Sequence, residues 1–332
     1  MKAAFKKGND VYLKDVESLH VAPGQIRVKV EACGICGTDI HEKPGEPVEE
    51  AFGHEMAGVI TELGAGVTRV AVGDKVVLDS ATPCGVCESC KNMRQDLCLD
   101  KQSFWFVPSF GMGDEIVAPA VCAVPYEGLE PAVACLQEPL GVAIDMFRLA
   151  DIGLGSNVLV MGCGPIGLMA LALAKRAGAR RVLACELNSR PRRVELARQF
   201  GADTCIDPTE TPLTQHPFDC KIDRIMVTAP PKALADAFAV AADGAIIAFI
   251  GIAHGDGAQC SFDANEFHFK KLQLRASFAS PALFGPAALQ YLRDGVIDGD
   301  ALVSHRYPLS RIAEAMQTAR TDPSAVKVVV EP

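Results

Sequence analysis

The stretch that most constrains this 332-residue chain is VLVMGCGPIGLMALALAKR, which begins at Val158. Four apolar residues predict a buried strand over 158–161, and the apolar spacing after the turn predicts a helix over 166–177. Between them stands Gly162-Cys163-Gly164-Pro165-Ile166-Gly167. In such a turn the second glycine lets the backbone approach a pyrophosphate, and the free N–H groups of the helix start face the anion. A second strand is expected over 182–185, and Glu186 follows it, nineteen residues after Gly167. A carboxylate there accepts hydrogen bonds from ribose hydroxyls and disfavours a 2′-phosphate. The expected ligand is therefore a dinucleotide, with NAD ahead of NADP. Arg190, Arg192 and Arg193 follow Glu186 closely enough to keep NADP open. The apolar run 158–174 is too short and too broken by glycine and proline to be read as a membrane span.

The same strand–helix rhythm continues, with helices expected over 192–200 and 231–242 and strands over 224–228 and 245–250. That alternation implies an α/β unit built on a doubly wound parallel sheet. The first third has a different texture. Ile26, Val28 and Val30 alternate with Arg27 and Lys29, the period of a half-buried strand, and short β-branched runs recur at 59–60, 76–78 and 116–117. A helix is expected over 140–150, another over 287–293, and a last strand over 326–330. The chain therefore divides into a β domain of residues 1–138 with 281–332, and an inserted dinucleotide domain of residues 139–280.

Thirteen cysteines need a chemical reason. The count is odd and the first ten residues carry no apolar signal region, so the expected setting is a reducing cytoplasm with metal-binding or buried thiols. Cys84, Cys87, Cys90 and Cys98 follow C-x₂-C-x₂-C-x₇-C in a loop spanning 80–100. Four thiolates so close suit a closed, structural zinc site, with an iron–sulfur cluster as the chemical alternative. A second set is looser. Cys36 in GICGTD and His54 in GHE lie eighteen residues apart. Catalytic zinc keeps three protein ligands and an exchangeable position, and spacing leaves Glu55, Glu138 and Cys135 all open as the third. The net charge of -9, from 32 basic against 41 acidic residues, excludes a general phosphate-backbone binder. Aromatic residues at 6%, with Trp105 the only tryptophan, argue against stacking on single-stranded nucleic acid.

Taken in order, VKVEACGICGTDIH, GHEMAGVI, the four-cysteine lobe, QEPLGVA, VMGCGPIG and FHFKKLQLRASF cover most of the chain. This series resembles the zinc-dependent medium-chain dehydrogenases, most closely their polyol and threonine dehydrogenase branch. The resemblance implies a GroES-like β-barrel catalytic domain, completed by the C-terminus, beside a Rossmann domain, with the active site in the cleft. It implies two zinc ions, one structural and one catalytic, with Cys36 and His54 as ligands of the catalytic one. Glu55 is implied as a ligand or a group just behind the ligands. Glu138 matches the glutamate that polyol enzymes use where simple alcohol dehydrogenases have a cysteine, which leaves Cys135 as a core residue. Thr38 and His41 match the family's proton relay, and Ile166 the aliphatic side chain packed against the nicotinamide. A homodimer or homotetramer is likewise implied. Three features depart from the pattern: a short loop between His41 and Gly53, the replacement of an aromatic-rich stretch by residues 111–115, and a longer segment over 186–201. Asp114, Glu115 and Trp105 are then the candidates for lining the pocket.

The expected function is the reversible oxidation of a secondary hydroxyl of a polyol, sugar or cyclitol, with L-threonine as the alternative substrate. The expected partner is thus a small polar alcohol, with neither nucleic acid nor membrane. A non-catalytic zinc- and nucleotide-binding protein is the alternative of another class. A zinc hydrolase is weaker, because it leaves the glycine turn without a role.

Overall fold

In the computed structural model, which describes every residue except 41–44, 107–110 and 279–280, the chain divides into two units. One comprises Met1–Gly141 with Ala279–Pro332, the other Val142–Phe278.

The first unit is built on a seven-stranded sheet. Its path runs Val303–Pro308, Lys327–Glu331, Gln25–Gly34, Glu55–Leu63, Lys75–Leu78 and Ala123–Pro125, with Glu115–Pro119 pairing to Gln25–Gly34 off that path. Alternation explains its central strand. Ile26, Val28 and Val30 are buried between exposed or half-exposed neighbours, and they join Ile60, Val76, Leu78, Ile116 and Val328 in one core. Beyond Val30 the pattern breaks, because the register against Glu55–Leu63 shifts between Val30 and Ala32. After this irregularity Ala32, Cys33 and Gly34 are all buried. Irregular pairing of this kind re-aims a strand and is common beside functional sites. The final strand lies antiparallel to Gln25–Gly34, with Val329 opposite Gly34 and Val330 opposite Cys33. The last residues of the chain are thereby stitched to its first third. A three-stranded sheet of Asp10–Asp15, Lys2–Lys7 and Glu50–Ala51 completes the unit's strands.

The second unit is a six-stranded sheet in which every pair is parallel. Across it the strands run Thr204–Ile206, Arg181–Cys185, Asn157–Met161, Ile222–Val227, Ala241–Phe249 and Gln273–Ala276. In chain order this is 3-2-1-4-5-6, the doubly wound arrangement. Leu159, Leu183, Ile225 and Ile247 are all within 1% of full burial, as expected where helices cover both faces. Expectation and structure differ at 241–242. These alanines read as the end of a helix, yet the helix stops at Val240 and Ala241 already pairs with Ile222. Sheet pairing overrides the helix propensity of alanine there. The short strands at 204–206 and 273–276 carry too little apolar pattern to have been foreseen. Among the described residues no helix is long and apolar enough to cross a membrane.

Candidate metal centres and dinucleotide site

The four-cysteine lobe is built almost entirely from its own backbone. Cys87 caps the short helix Glu88–Lys91, Cys90 lies within it, and Cys98 follows the turn Gln95–Leu97. Left-handed conformations at Gly85 (φ 73°) and Met93 (φ 60°) turn the chain back on itself. The four sulfur atoms lie within 4.8 Å of one another. Cys87 Sγ and Cys98 Sγ are 3.8 Å apart, which matches the edge of roughly 3.8 Å for a tetrahedron with Zn–S bonds of about 2.3 Å. The N–H groups of Cys84 and Cys87 donate to the sulfurs of Cys98 and Cys84, both at 3.3 Å. Backbone N–H groups of Cys90 and Leu99 bring the Cys87 thiol down to about 6, whereas burial pushes Cys90 up to about 12. A dication lets such a set ionise together. Donor type, spacing and backbone support all fit zinc.

The second centre draws on remote segments. Cys36 follows the buried end of strand Gln25–Gly34 and leads into the single-turn helix Gly37–Ile40. His54 precedes strand Glu55–Leu63, after Gly53 at φ 95°. Their ligand atoms and one from Glu55 lie within 4.8 Å of one another. Glu138 arrives in the first turn of helix Gln137–Leu149. Its Oε1 accepts from Ser80 Oγ at 3.1 Å, and its carboxylate acts on the charge of His54. Burial pushes Glu138 up to about 7, against the pull of His54. For His54 burial acts downward, but the hydrogen bond and charge of Cys36, with Glu138 and Asp39, hold it well above its ordinary value. A thiol, an imidazole and clustered carboxylates, all buried or half-buried, form a donor set that suits zinc.

Two groups that sequence reasoning missed shape this centre. Asp39 is buried, accepts the N–H of Cys36 at 2.9 Å, and holds Oδ1 3.8 Å from His54 Nδ1. At that distance the contact is electrostatic, not a hydrogen bond, and the buried Nδ1 of His54 has no hydrogen-bond partner among the described residues. Lys327, on the last strand, is equally buried. Its ammonium donates to both oxygens of Glu55, at 2.8 Å to Oε1, and to Ile35 O at 3.1 Å. Glu55 is thus near the ligands yet already neutralised. Gly34 makes room for it, since a Cβ there would stand 2.2 Å from Glu55 Oε2. The CGTD motif itself pointed to Asp39, whereas the signal for Lys327 was only a lone charge in the run AVKVVV.

The remaining candidates separate. Cys135 is buried, donates to Ala132 O at 3.3 Å, and packs with Ala32, Ala57 and Val329; its sulfur is not among the clustered ligand atoms of Cys36, His54 and Glu55. Thr38 is exposed on the single-turn helix, and His41 lies outside the described residues. Trp105 packs against the His54 ring with centroids 5.4 Å apart and is half exposed. Asp114 and Glu115, the other two candidates for lining the pocket, are engaged elsewhere. Asp114 accepts the N–H of Lys2 at 2.6 Å, and Glu115 is paired with Arg27 and Ser18. Both are held by strand edges instead.

In the second unit the glycine turn follows Met161 at the carboxyl end of the first parallel strand, between neighbours that run on to opposite sides of the sheet. Ligands bind at such a point in open α/β sheets. Gly162 has φ 94°, and a Cβ there would meet Thr228 Oγ1 at 2.8 Å. A Cβ on Gly167 would lie 1.9 Å from Gly162 O, so helix and turn close only over glycine. Gly164 faces open space, with nothing within 4 Å of a Cβ. Pro165 is the first residue of helix Pro165–Arg176, and Ile166 beside it is half-buried. The Cys163 N–H donates to Glu186 Oε2 at 2.8 Å, which ties the acid to the turn. A cradle open at Gly164 and packed shut at Gly162 and Gly167 fits a pyrophosphate.

Known proteins agree with this layout. A family model for the alcohol dehydrogenase GroES-like domain matches residues 22–129, and one for zinc-binding dehydrogenases matches residues 165–290. An L-threonine 3-dehydrogenase of Rhizobium etli is 30% identical over all of this chain and 98% of its own length. A sorbitol dehydrogenase of Arabidopsis thaliana is 29% identical over 93% of this chain and 89% of its own. Among solved structures, a short chain alcohol dehydrogenase of E. coli CFT073 complexed with NADH superposes with a TM-score of 0.88 at 26% identity, covering 100% of this chain and 99% of that one. A zinc-binding dehydrogenase of Sinorhizobium meliloti 1021 bound to NADP gives 0.85 at 26% identity, covering 99% and 100%.

Proposed function

The chain belongs to the zinc-dependent medium-chain dehydrogenase family, and from that premise we propose that it reversibly oxidises a secondary hydroxyl of a polyol, sugar or cyclitol with NAD(P)+. One observation carries the reading: the ligand atoms of Cys36, His54 and Glu55 lie within 4.8 Å of one another, the buried Glu138 acts on the charge of His54, and Glu55 is already bound by Lys327. Glu138 is then the third zinc ligand, and Glu55 stands behind the ligands. When bound, zinc supplies the acidity that lowers a substrate hydroxyl's pKa, and the nicotinamide accepts the hydride. Asp39 sets a buried carboxylate 3.8 Å from His54 Nδ1, which favours positive charge on that ring. Ser80 holds the Glu138 carboxylate. Trp105 offers an aromatic wall at His54, a surface on which the C–H face of a polyhydroxylated substrate packs. Thr38 and His41 carry the released proton toward solvent, as in the family's relay. The cysteine lobe holds the second, structural zinc. A homodimer or homotetramer is proposed through the edge strand Gln273–Ala276, on which Leu274 is exposed, with Phe278 exposed just beyond it. A reducing cytoplasmic setting suits thirteen free cysteines.

L-threonine is the second substrate reading, supported by the full-length identity with a threonine dehydrogenase. The test is nicotinamide reduction at 340 nm by zinc-loaded protein across polyols, cyclitols, sugars and L-threonine. Reduction by a polyhydroxylated alcohol supports the first reading, reduction by L-threonine alone the second, and none with any substrate overturns both. For the ligands, Glu138→Ala should leave one zinc per chain by metal analysis, while Glu55→Ala should leave two.

A further inference from the structure

The segment that carries Cys36 is gripped on both sides by buried lysines. Lys327 Nζ, from the last strand, donates to Ile35 O at 3.1 Å, just before Cys36. Lys6 Nζ, from strand Lys2–Lys7, donates to Asp39 O at 3.0 Å, just beyond it. Each ammonium also reaches a carboxylate on the segment that carries His54. Lys327 donates to Glu55 Oε1 at 2.8 Å, and Lys6 Nζ lies 3.5 Å from Glu50 Oε1. Lys6 and Glu50 are register partners across strands Lys2–Lys7 and Glu50–Ala51, and Nζ stands 5.8 Å from the centroid of the buried Phe52 ring. The Lys6 side chain is only 8% exposed. Its three donor directions are thus spread over a carbonyl, a carboxylate and an aromatic face.

We propose that Lys6 is a positioning residue of the Cys36 centre: it fixes the turn 36–39 against the segment 50–54, so that thiol and imidazole stand at metal-binding separation before a metal arrives. This rests on the reading of that centre as a zinc site. The helix Gly37–Ile40 is a single turn, too short to hold itself, and Gly37 and Thr38 are exposed. The turn is closed internally, because Cys36 N–H donates to Asp39 Oδ2 at 2.9 Å and Asp39 N–H to Cys36 O at 3.0 Å. A hold on Asp39 O is therefore a hold on Cys36. Lys327 anchors one side of the turn, and without Lys6 the other side has only its own bonds. A buried ion pair adds little net stability over an apolar residue of similar size, so what Lys6 supplies is a fixed geometry between two remote segments.

Cadmium-113 resonance of the fully cadmium-loaded chain tests this, because a four-thiolate set and a mixed sulfur, nitrogen and oxygen set give separate signals. Lys6→Met should shift or broaden the mixed-donor signal and leave the four-thiolate signal in place. Competition with a chromogenic chelator should show zinc at the mixed-donor centre weakened by about tenfold or more, the usual cost of losing a group that orients a metal ligand, with the lobe unchanged. Lys6→Gln keeps a donor for Asp39 O without the charge and should recover part of that loss. Glu50→Gln loosens the other side of the brace and should move the same signal by less. An unmoved mixed-donor signal in Lys6→Met, with zinc affinity within about twofold of wild type, overturns the proposal even if the melting temperature falls. Should Lys6→Met not fold, an unmoved signal in both Lys6→Gln and Glu50→Gln overturns it equally. A wild-type chain that shows the four-thiolate signal alone would instead remove the zinc-centre reading, and this proposal with it.

Discussion

The two metal centres of this chain are made in opposite ways. The lobe takes four identical donors from fifteen consecutive residues and supports them with its own N–H groups. The Cys36 centre brings together a thiol, an imidazole and carboxylates from segments far apart in sequence, with Asp39, Ser80 and Lys327 bonded to residues around it. A closed site needs only that its ligands converge, and a tight local turn achieves that. A site that binds and releases substrate must also hold each ligand still while one position exchanges. That rigidity comes from sheet neighbours far away in sequence.

The largest test of this difference sets Cys36→Ser beside Cys98→Ser. Each should lose one of two zinc ions. Cys36→Ser should lower kcat by about a thousandfold or more with the melting temperature shifted by only a few degrees. Cys98→Ser should instead lower the melting temperature by about 10 °C or more, since metal binding in such a loop is folding free energy. Equal thermal losses would erase the distinction. Next in size is Lys327→Met, which leaves Glu55 as a buried charge without its cation. Urea unfolding should show a loss of about 3–5 kcal/mol, most of it restored in Glu55→Gln/Lys327→Met; a double variant as unstable as the single one would show that the two groups are not coupled.

Smaller again is Gly34→Ala, whose methyl group runs into the Glu55 carboxylate at 2.2 Å. It should cost about 1–3 kcal/mol and reduce activity, because the clash is at the centre. Gly85→Ala in the lobe meets nothing within 4 Å but sits at φ 73°, so about 1 kcal/mol of backbone strain is expected and kcat should be unchanged. An effect confined to high pH concerns Asp79, which accepts from Gln137 beside Glu138 at 2.9 Å. Burial pushes its carboxyl from 3.8 up to about 6, against that hydrogen bond. The folded state therefore binds the proton more tightly. This group's contribution to stability is complete below its unfolded pKa of about 4 and disappears as pH rises through 6. Asp79→Asn should flatten that window and stabilise the protein at pH 8 by no more than about 2 kcal/mol, measured by urea unfolding at pH 4.5, 6 and 8.

Legibility followed contact range. The residues by themselves determined the lobe, because C-x₂-C-x₂-C-x₇-C leaves little freedom in where four thiols meet. They also determined the strand–turn–helix at Val158, where the apolar periods and the glycine spacing depend only on near neighbours. Cys36 and His54 were readable as donors, but the choice among Glu55, Glu138 and Cys135 was not, since all three have suitable chemistry and none has a diagnostic spacing. The tertiary structure supplies what separates them. The last strand lies against Gln25–Gly34 and sets the Lys327 ammonium on Glu55, and the packing of Cys135 against Ala32 and Val329 keeps that thiol in the core. Likewise, only the approach of helix Pro191–Gln199 to the strand end brings Arg193 Nη1 to 3.9 Å from Glu186. Charge partners hundreds of residues apart leave no periodic trace in a sequence, because their meeting is a property of sheet order and register.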